Sequence, residues 1–457
     1  MVTRMADLTN PGGADPADGS ATAAQPNSVI GDIGVNPLTL PNRPKLWAIL
    51  LIALIAITFT ALWLGAYNWL NSAIWSNSFV TSNRWMIPVG VIALSLLVGL
   101  TQKYLRAPTV IHGGFVEAIQ GKTGPNDPAT FPGTLLSSLL SLVSGASIGP
   151  EGAIAFLVLQ IATWVREKLN LARSAALGFD VAASASAFNG IIGNPLFTGV
   201  LATELQVGGN ANFVFLAWNL LAGVVGYLFF TLLALPVFAK YVPFTPITQL
   251  TLGYALATVA LAFLGGLTAI LVGVLFQVFQ RVITRVFQER VVWRALAAGV
   301  IIGVVCYFVP EVMFSGEKEI FVPIANPLKY GVVLLIGLGL LKLVLLALSM
   351  KSGFLGGPTF PLLFACTMFA LAVNLLFPSV PISICVISIE GAALSLALGA
   401  PLTAILLVAT IATSNPYEVA LLALAAVVGL LMGALVKTLL AQRAARQAPT
   451  SASGATS

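Results

Sequence analysis

Long apolar runs fill most of the chain and are separated by short polar stretches. A helix needs about 20 mostly apolar residues to cross the hydrocarbon core of a bilayer. Such runs therefore predict membrane-spanning helices at residues 46–70, 85–100, 213–238, 252–276, 291–308, 330–348 and 419–436.

A second set of apolar runs is shorter and is interrupted or bounded by Gly or Pro. These runs cover residues 135–143, 153–165, 195–205, 361–377, 382–398 and 401–412. Helix ends at membrane depth have no water to bond, so they persist only where they are buried or line a wet cavity. Interrupted helices of this kind are typical of the binding sites of secondary transporters.

Two motifs recur in the second half of the chain with nearly the same offset. Ser144-Gly145 followed by Gly149-Pro150 returns as Ser352-Gly353 followed by Gly357-Pro358, an offset of 208 residues (352 − 144). Gly193-x-Pro195-Leu196 returns as Gly399-x-Pro401-Leu402, an offset of 206 residues (401 − 195). The shared offset predicts duplicated halves, at about residues 85–240 and 291–436.

Composition supports a membrane protein and argues against an enzyme. The chain is 58% hydrophobic and 8% charged, whereas soluble domains carry about 25% charged residues. It has a single histidine, His112, and its three cysteines, Cys306, Cys366 and Cys385, lie in apolar runs without metal-ligand spacing. We therefore predict buried free thiols, no metal site, no cofactor and no catalytic cluster.

The two ends of the chain differ from the middle. Residues 1–44 are rich in small and polar residues, and residues 441–457 are small, polar and basic. Both are predicted to be cytoplasmic tails, the first of them disordered, around a transmembrane domain at 45–440. Basic residues next to the first and last apolar runs favour cytoplasmic termini, and Arg281, Arg285, Arg290 and Arg294 are interpreted as a topology-setting basic loop.

The stretch Ser144 to Ile154, SGASIGPEGAI, has the properties of an anion site. Gly149 and Gly152 allow backbone N–H groups to approach a ligand closely. The apolar run that follows predicts a helix whose free N–H groups and dipole attract anions at its start. As a carboxylate, Glu151 can occupy the anion position itself, and once protonated it can swing aside. Glu151 is therefore predicted to be a gate.

These motifs resemble those of the CLC family of chloride channels and proton–chloride exchangers. The stretch around Glu151 resembles the GxEGP motif, 352–361 the GxFxP region, 399–407 the late APLTG helix, 112–118 the GSGIPE segment and 187–196 the AFNAPL stretch. They run in family order over about residues 111–416. Ala153 replaces the proline that closes the gate motif, and Pro358 stands where a family N–H would face the ion.

The resemblance implies an all-α polytopic fold of two inverted-topology repeats with broken and re-entrant helices. It implies transport of a small inorganic anion, chloride foremost, through a pore in each subunit of a homodimer in the cell membrane. The expected anion-binding residues are Gly113, Gly114, Gly149, Gly152, Gly357, Thr359 and Phe360. Another anion (fluoride, nitrate or a small organic acid) is the alternative, and channel and proton antiporter both remain open.

Two further carboxylates are candidates for proton transfer. Glu204 lies at the end of the helix that begins with the Pro-Leu pair, one position away from the proton glutamate of family exchangers. Neighbouring helix positions point about 100° apart, so this offset decides its role. Glu390 is a second intramembrane carboxylate, for which structural pairing and a relay are both considered.

Overall fold

The computed structural model describes residues 46–109, 128–171, 176–205, 213–237, 242 and 244–447. The predicted N-terminal tail, His112, Gly113 and Gly114 lie outside these residues, as does the last part of the predicted C-terminal tail.

The first half of the chain forms eight helices where it is described. They are α1 (Leu46–Trp75), α2 (Ser78–Ser82), α3 (Met86–Tyr104), α4 (Phe131–Val143), α5 (Glu151–Lys168), α6 (Ala176–Ile192), α7 (Phe197–Glu204) and α8 (Phe213–Leu232). The second half continues with α9 (Leu252–Phe287), α10 (Val291–Phe308), α11 (Phe321–Ala325), α12 (Pro327–Lys351), α13 (Thr359–Leu376), α14 (Ile382–Leu398), α15 (Pro401–Ile411) and α16 (Pro416–Gln447).

The helical membrane architecture predicted from the apolar runs is confirmed. Seven helices of the described part are long and apolar enough to cross a membrane, namely α1, α3, α9, α10, α12, α13 and α16. Shorter apolar helices, including α14 and α15, lie between them. The predicted bounds of α10 and α14 agree with the structure to the residue, whereas α16 continues past the predicted domain end at 440.

Helix packing repeats between the two halves. In the first half α6 packs against α1 and α8, and in the second half α14 packs against α9 and α16. Helices α7 and α15 are short in both halves and pack against each other. The repeated pattern includes α1 and α9, which precede the repeat starts predicted at 85 and 291.

Corresponding glycines in the two halves adopt the same rare backbone conformation. Gly145 and Gly353 have φ values of 85° and 101° and form the turns that lead into α5 and α13. Gly193 and Gly399 have φ values of 73° and 67° and precede α7 and α15. Residues with a Cβ are strained at positive φ, so these turns explain why glycine recurs at each motif.

Candidate anion site

The two halves meet where their glycine motifs cross. Gly149 and Gly357 form an antiparallel bridge in which each donates its N–H to the carbonyl of the other, at 2.8 and 2.7 Å. Because the offset of 208 relates these two residues, the crossing pairs equivalent positions in opposite directions. This is the local geometry expected of inverted repeats.

Two serines hold the crossing from equivalent positions on either side. The Ser141 hydroxyl, near the end of α4, accepts the N–H of Leu355 at 3.1 Å. The Ser349 hydroxyl, near the end of α12, accepts the N–H of Ser147 at 3.2 Å. Each half thus supplies a side-chain acceptor for an amide in the loop of the other half, which fixes the two loops against each other.

Two helix N-termini converge at this crossing. Helix α5 begins at Glu151 directly after Pro150, and α13 begins at Thr359 directly after Pro358. Proline is well suited to such a start because its ring presets φ and it has no N–H to leave unpaired. The free N–H groups of both first turns concentrate partial positive charge in one buried place.

The Glu151 side chain lies across the crossing and reaches the start of α13. Glu151 is 5% exposed, and its Oε1 accepts the N–H of Thr359 at 2.6 Å. The amide of Phe360, the next residue of α13, also interacts with this carboxylate. A carboxylate oxygen therefore takes the position that an anion would take at this helix terminus.

Glycine leaves room at the crossing for the carboxyl group, which packs directly on the backbone. A Cβ added at Gly149 or Gly357 would overlap the Glu151 carboxyl group, and one added at Gly152 would press on the carbonyl of Gly356. Small residues at these positions therefore create the space in which the carboxylate sits.

Comparison with known sequences identifies the family. The family model described as voltage gated chloride channel matches residues 94–434. The chain belongs to this family. It is thus a multi-pass membrane protein of an anion-transporting family, commonly named CLC.

Sequences related to this chain are distant. Over 312 residues the chain is 27% identical to YfeO of Salmonella newport, covering 65% of this chain and 71% of that protein. Over 290 residues it is 27% identical to protein MJ0305 of Methanocaldococcus jannaschii, covering 61% of this chain and 68% of that protein.

Solved CLC structures share the fold. A slow cyanobacterial Cl⁻/H⁺ antiporter superposes with a TM-score of 0.76 at 18% identity, covering 90% of this chain and all of that chain (100%). A CLC-type fluoride/proton antiporter superposes with a TM-score of 0.68 at 18% identity, covering 84% of this chain and 95% of that one. At such identities the likeness concerns the fold.

Five of the seven expected anion-binding residues lie together at the crossing. Gly149 and Gly357 form the bridge, Gly152 contacts the opposite loop, and Thr359 and Phe360 present their amides to Glu151. The other two, Gly113 and Gly114, lie outside the described residues.

Glu204 lies at a different helix terminus. Its Oε1 accepts the N–H of Leu402, and its Oε2 accepts both the N–H and the hydroxyl of Thr403, all at 2.7 Å. The carboxylate at the end of α7 thereby caps the start of α15. At the other end of the same helix pair, Asn194 donates its side-chain amide to the Thr410 hydroxyl at 2.7 Å.

Glu390 is buried in the middle of α14 and contacts α13. It is 3% exposed, and its Oε1 lies 2.6 Å from the Thr367 hydroxyl. It also lines a cavity that Phe360 borders. The structure thus places Glu390 in the wall of a cavity next to the candidate anion site.

One charged residue that the sequence reasoning passed over is fully buried. Lys342 on α12 is 0% exposed, and its Nζ donates to the carbonyls of Val312, Met313 and Phe314 at 3.1, 3.0 and 2.7 Å. The N–H of Phe314 in turn donates to the carbonyl of Gly145, so Lys342 supports the first glycine turn. The signal in the sequence was a lone lysine within an apolar run, which is expensive in a membrane and indicates a specific role.

The prediction that Arg294 belongs to a basic loop is wrong. It is 9% exposed within α10, and its guanidinium donates to the carbonyls of Ser352 at 3.0 Å and Thr109 at 3.4 Å. The periodicity of α10 turns this position inward, whereas charge counting treats all four arginines alike.

Cys306, Cys366 and Cys385 are free and buried, as predicted.

Proposed function

We propose that the protein carries a small inorganic anion, chloride foremost, through the crossing of Gly149 and Gly357, and that Glu151 gates this path. The observation that carries the proposal is the Glu151 carboxylate bonded to the first amide of α13. Amides at a helix start bind a dehydrated anion and a carboxylate by the same interactions. The side chain and the transported ion therefore compete for one position.

The proposed gate fixes the sign of the pH dependence. At high pH the Glu151 carboxylate stays on the Thr359 amide and blocks the path. At low pH the neutral acid loses its attraction to the helix dipole and leaves, because the dipole favours the charged form. Anion flux should therefore rise as the pH falls.

Chloride and fluoride are the two anions that we propose to compare first. The glycine-lined crossing offers amides and little space, which suits a small bare anion better than an organic acid. One structural neighbour is a Cl⁻/H⁺ antiporter and another is a fluoride/proton antiporter. Thr359 follows Pro358, so this first turn offers one N–H fewer than a turn without proline.

The test is anion efflux from liposomes at controlled pH, with proton movement recorded at the same time. For wild-type protein we expect efflux of chloride that increases on acidification. Glu151→Ala should make efflux independent of pH and abolish any coupled proton movement. The exposed Glu167 at the end of α5 provides the control, since Glu167→Gln should retain the wild-type pH profile. An unchanged pH profile in Glu151→Ala would remove Glu151 from the gate.

The same recordings decide between a channel and an antiporter. Proton movement against its gradient, driven by a chloride gradient, would identify an antiporter, and its absence would identify a channel. Replacing chloride by fluoride or nitrate then ranks the anions. We further propose a homodimer in the cell membrane with both termini cytoplasmic, on the basis of the family resemblance and the basic flanks.

A further inference from the structure

A small cavity lies between the second-half helices next to the candidate anion site. Its volume is about 40 Å³, and it is bounded by α13, α14, the end of α15, the segment before α11 and two residues of the segment before α9, Val242 and Phe244. A cavity of this size with polar groups in its wall can hold water.

One face of α13 forms a wall of the cavity from the anion site outward. Phe360, Leu363, Phe364 and Thr367 line it, and their spacing of three and four residues puts them on the same side of the helix. The Phe360 end begins one residue after Thr359, whose amide bonds to the Glu151 carboxylate at 2.6 Å. The Thr367 end lies about 12 Å further along the helix axis, at 1.5 Å per residue from Thr359.

The Thr367 hydroxyl links α13 to Glu390 on α14 at the far end of this wall. The Thr367 Oγ1 lies 3.0 Å from the carbonyl of Leu363 and 2.6 Å from Oε1 of Glu390. A hydroxyl has one proton, so it cannot donate to both oxygens. Thr367 can donate this proton to a Glu390 carboxylate, or it can donate to Leu363 and accept a proton from Glu390 in its carboxylic acid form.

The other ionisable groups around Glu390 come from several elements. Glu317 lines the same cavity from the segment before α11 and is half-buried. Helix α15 carries no ionisable side chain, and α9 presents Thr258 and Gly265 to α14 near this level. Other ionisable groups nearby are Cys366 on α13, Lys342 behind the Phe364 ring and Glu418 on α16, whose carboxylate accepts the N–H groups of Ile247 and Asn415 at 3.3 and 3.1 Å.

The cavity lies toward the membrane face opposite the C-terminus. Helix α16 has 32 residues, about 48 Å of helix, and therefore reaches from one face to the other. Ile411 and Ala412, which line the cavity, come just before its first residue, Pro416. Glu317 and Glu390 both line the cavity, whereas Glu151 does not.

We propose that Glu390 stores a proton and passes it through this cavity to Glu151, which rests on the gate proposed above. The Glu390 O–H bond breaks, water in the cavity carries the proton, and the Glu151 carboxylate becomes neutral and leaves the Thr359 amide. Glu390, now a carboxylate, regains a proton from solution by way of Glu317. The step conserves charge and atoms and needs no further reactant.

The rate at which anion flux responds to acidification tests this relay. In solid-supported membrane recordings with rapid solution exchange, we expect Glu390→Gln to slow the response at least tenfold. Glu390→Asp keeps the acid and should recover part of the rate. Ser388→Ala is the matched control, because its hydroxyl lies on the same helix but contacts Thr258 of α9 at 3.3 Å, and it should respond like wild type.

A second variant and an infrared measurement separate failure of the relay from failure of the gate. Thr367→Val keeps the side-chain shape and removes the oxygen that accepts the acid proton, so it should also slow the response, and it serves if Glu390→Gln does not fold. The infrared band of a protonated carboxyl should disappear in Glu390→Gln. A wild-type response in Glu390→Gln, while Glu151→Gln does not respond, would overturn the relay alone. A normal response in Glu151→Gln would instead overturn the gate.

Discussion

At the scale of residues, the site is a contact between one carboxylate and the backbone of the other half of the chain. Glu151 bonds to the Thr359 amide because Gly149 and Gly357 leave room for its carboxyl group. The sequence predicted these participants from residue type alone, since glycines, a proline and an acid before an apolar run indicate a helix start that binds anions. It could not predict which amide the carboxylate meets, because that amide is 208 residues away.

The glycine contacts give a prediction at this scale. In Gly357→Ala the new Cβ would overlap the Glu151 carboxyl group. We expect a weaker pH dependence of anion flux, together with a loss of about 1–3 kcal/mol in stability from overpacking. Liposome efflux between acid and alkaline pH measures the first effect, and thermal unfolding in detergent measures the second.

Gly337 on α12 is the matched control for that variant. A Cβ added there meets nothing within 4 Å, so Gly337→Ala should keep the wild-type pH profile and stability. A wild-type pH profile in Gly357→Ala would contradict the packing argument.

At the scale of elements, the sequence predicted helix bounds correctly where a helix coincides with one uninterrupted apolar run. The bounds of α10 and α14 agree with their apolar runs, whereas α6 was missed because serine, alanine and Asp180 dilute its hydropathy. Burial of α6 against α1 and α8 explains why it tolerates these residues. Such tertiary packing is not readable from a local window.

The cap between α7 and α15 yields a prediction about Glu204. Glu204→Gln replaces the carboxylate that accepts two N–H groups and one hydroxyl at the start of α15. We expect a loss of about 1–2 kcal/mol in stability, as for other helix caps and dipole contacts. Thermal unfolding with Glu167→Gln as the exposed control measures this loss.

Proton movement in the same variant decides the other role considered for Glu204. A cap without a relay function predicts coupled proton movement at the wild-type rate in folded Glu204→Gln protein. Loss of proton movement with anion flux intact would instead assign Glu204 to the proton route.

At the scale of the whole molecule, the motif offsets predicted two related halves, and matching helix contacts accompany them in the structure. The halves are tied at Gly149 and Gly357 and by the two serine contacts, so neither half contains the complete candidate site. The sequence could not locate Lys342 or Arg294 relative to this crossing, because both bind backbone carbonyls, which carry no sequence signal.

A homodimer with one path in each subunit predicts a specific behaviour of mixed dimers. Wild-type and Glu151→Ala subunits with different affinity tags should copurify in one complex. That complex should show pH-dependent flux of about half the wild-type amplitude above a constant background. Failure to copurify would contradict the homodimer, and an all-or-none response would contradict separate paths.

The crossing also shows how one side chain makes a nearly symmetric framework asymmetric. Residue 151 in the first half corresponds to residue 359 in the second, so the glutamate touches the main chain of its own counterpart. Because that counterpart is a threonine, which does not ionise, only the first half places an ionisable side chain at this position. A single amino-acid difference between duplicated segments thus sets which half supplies the gate proposed above.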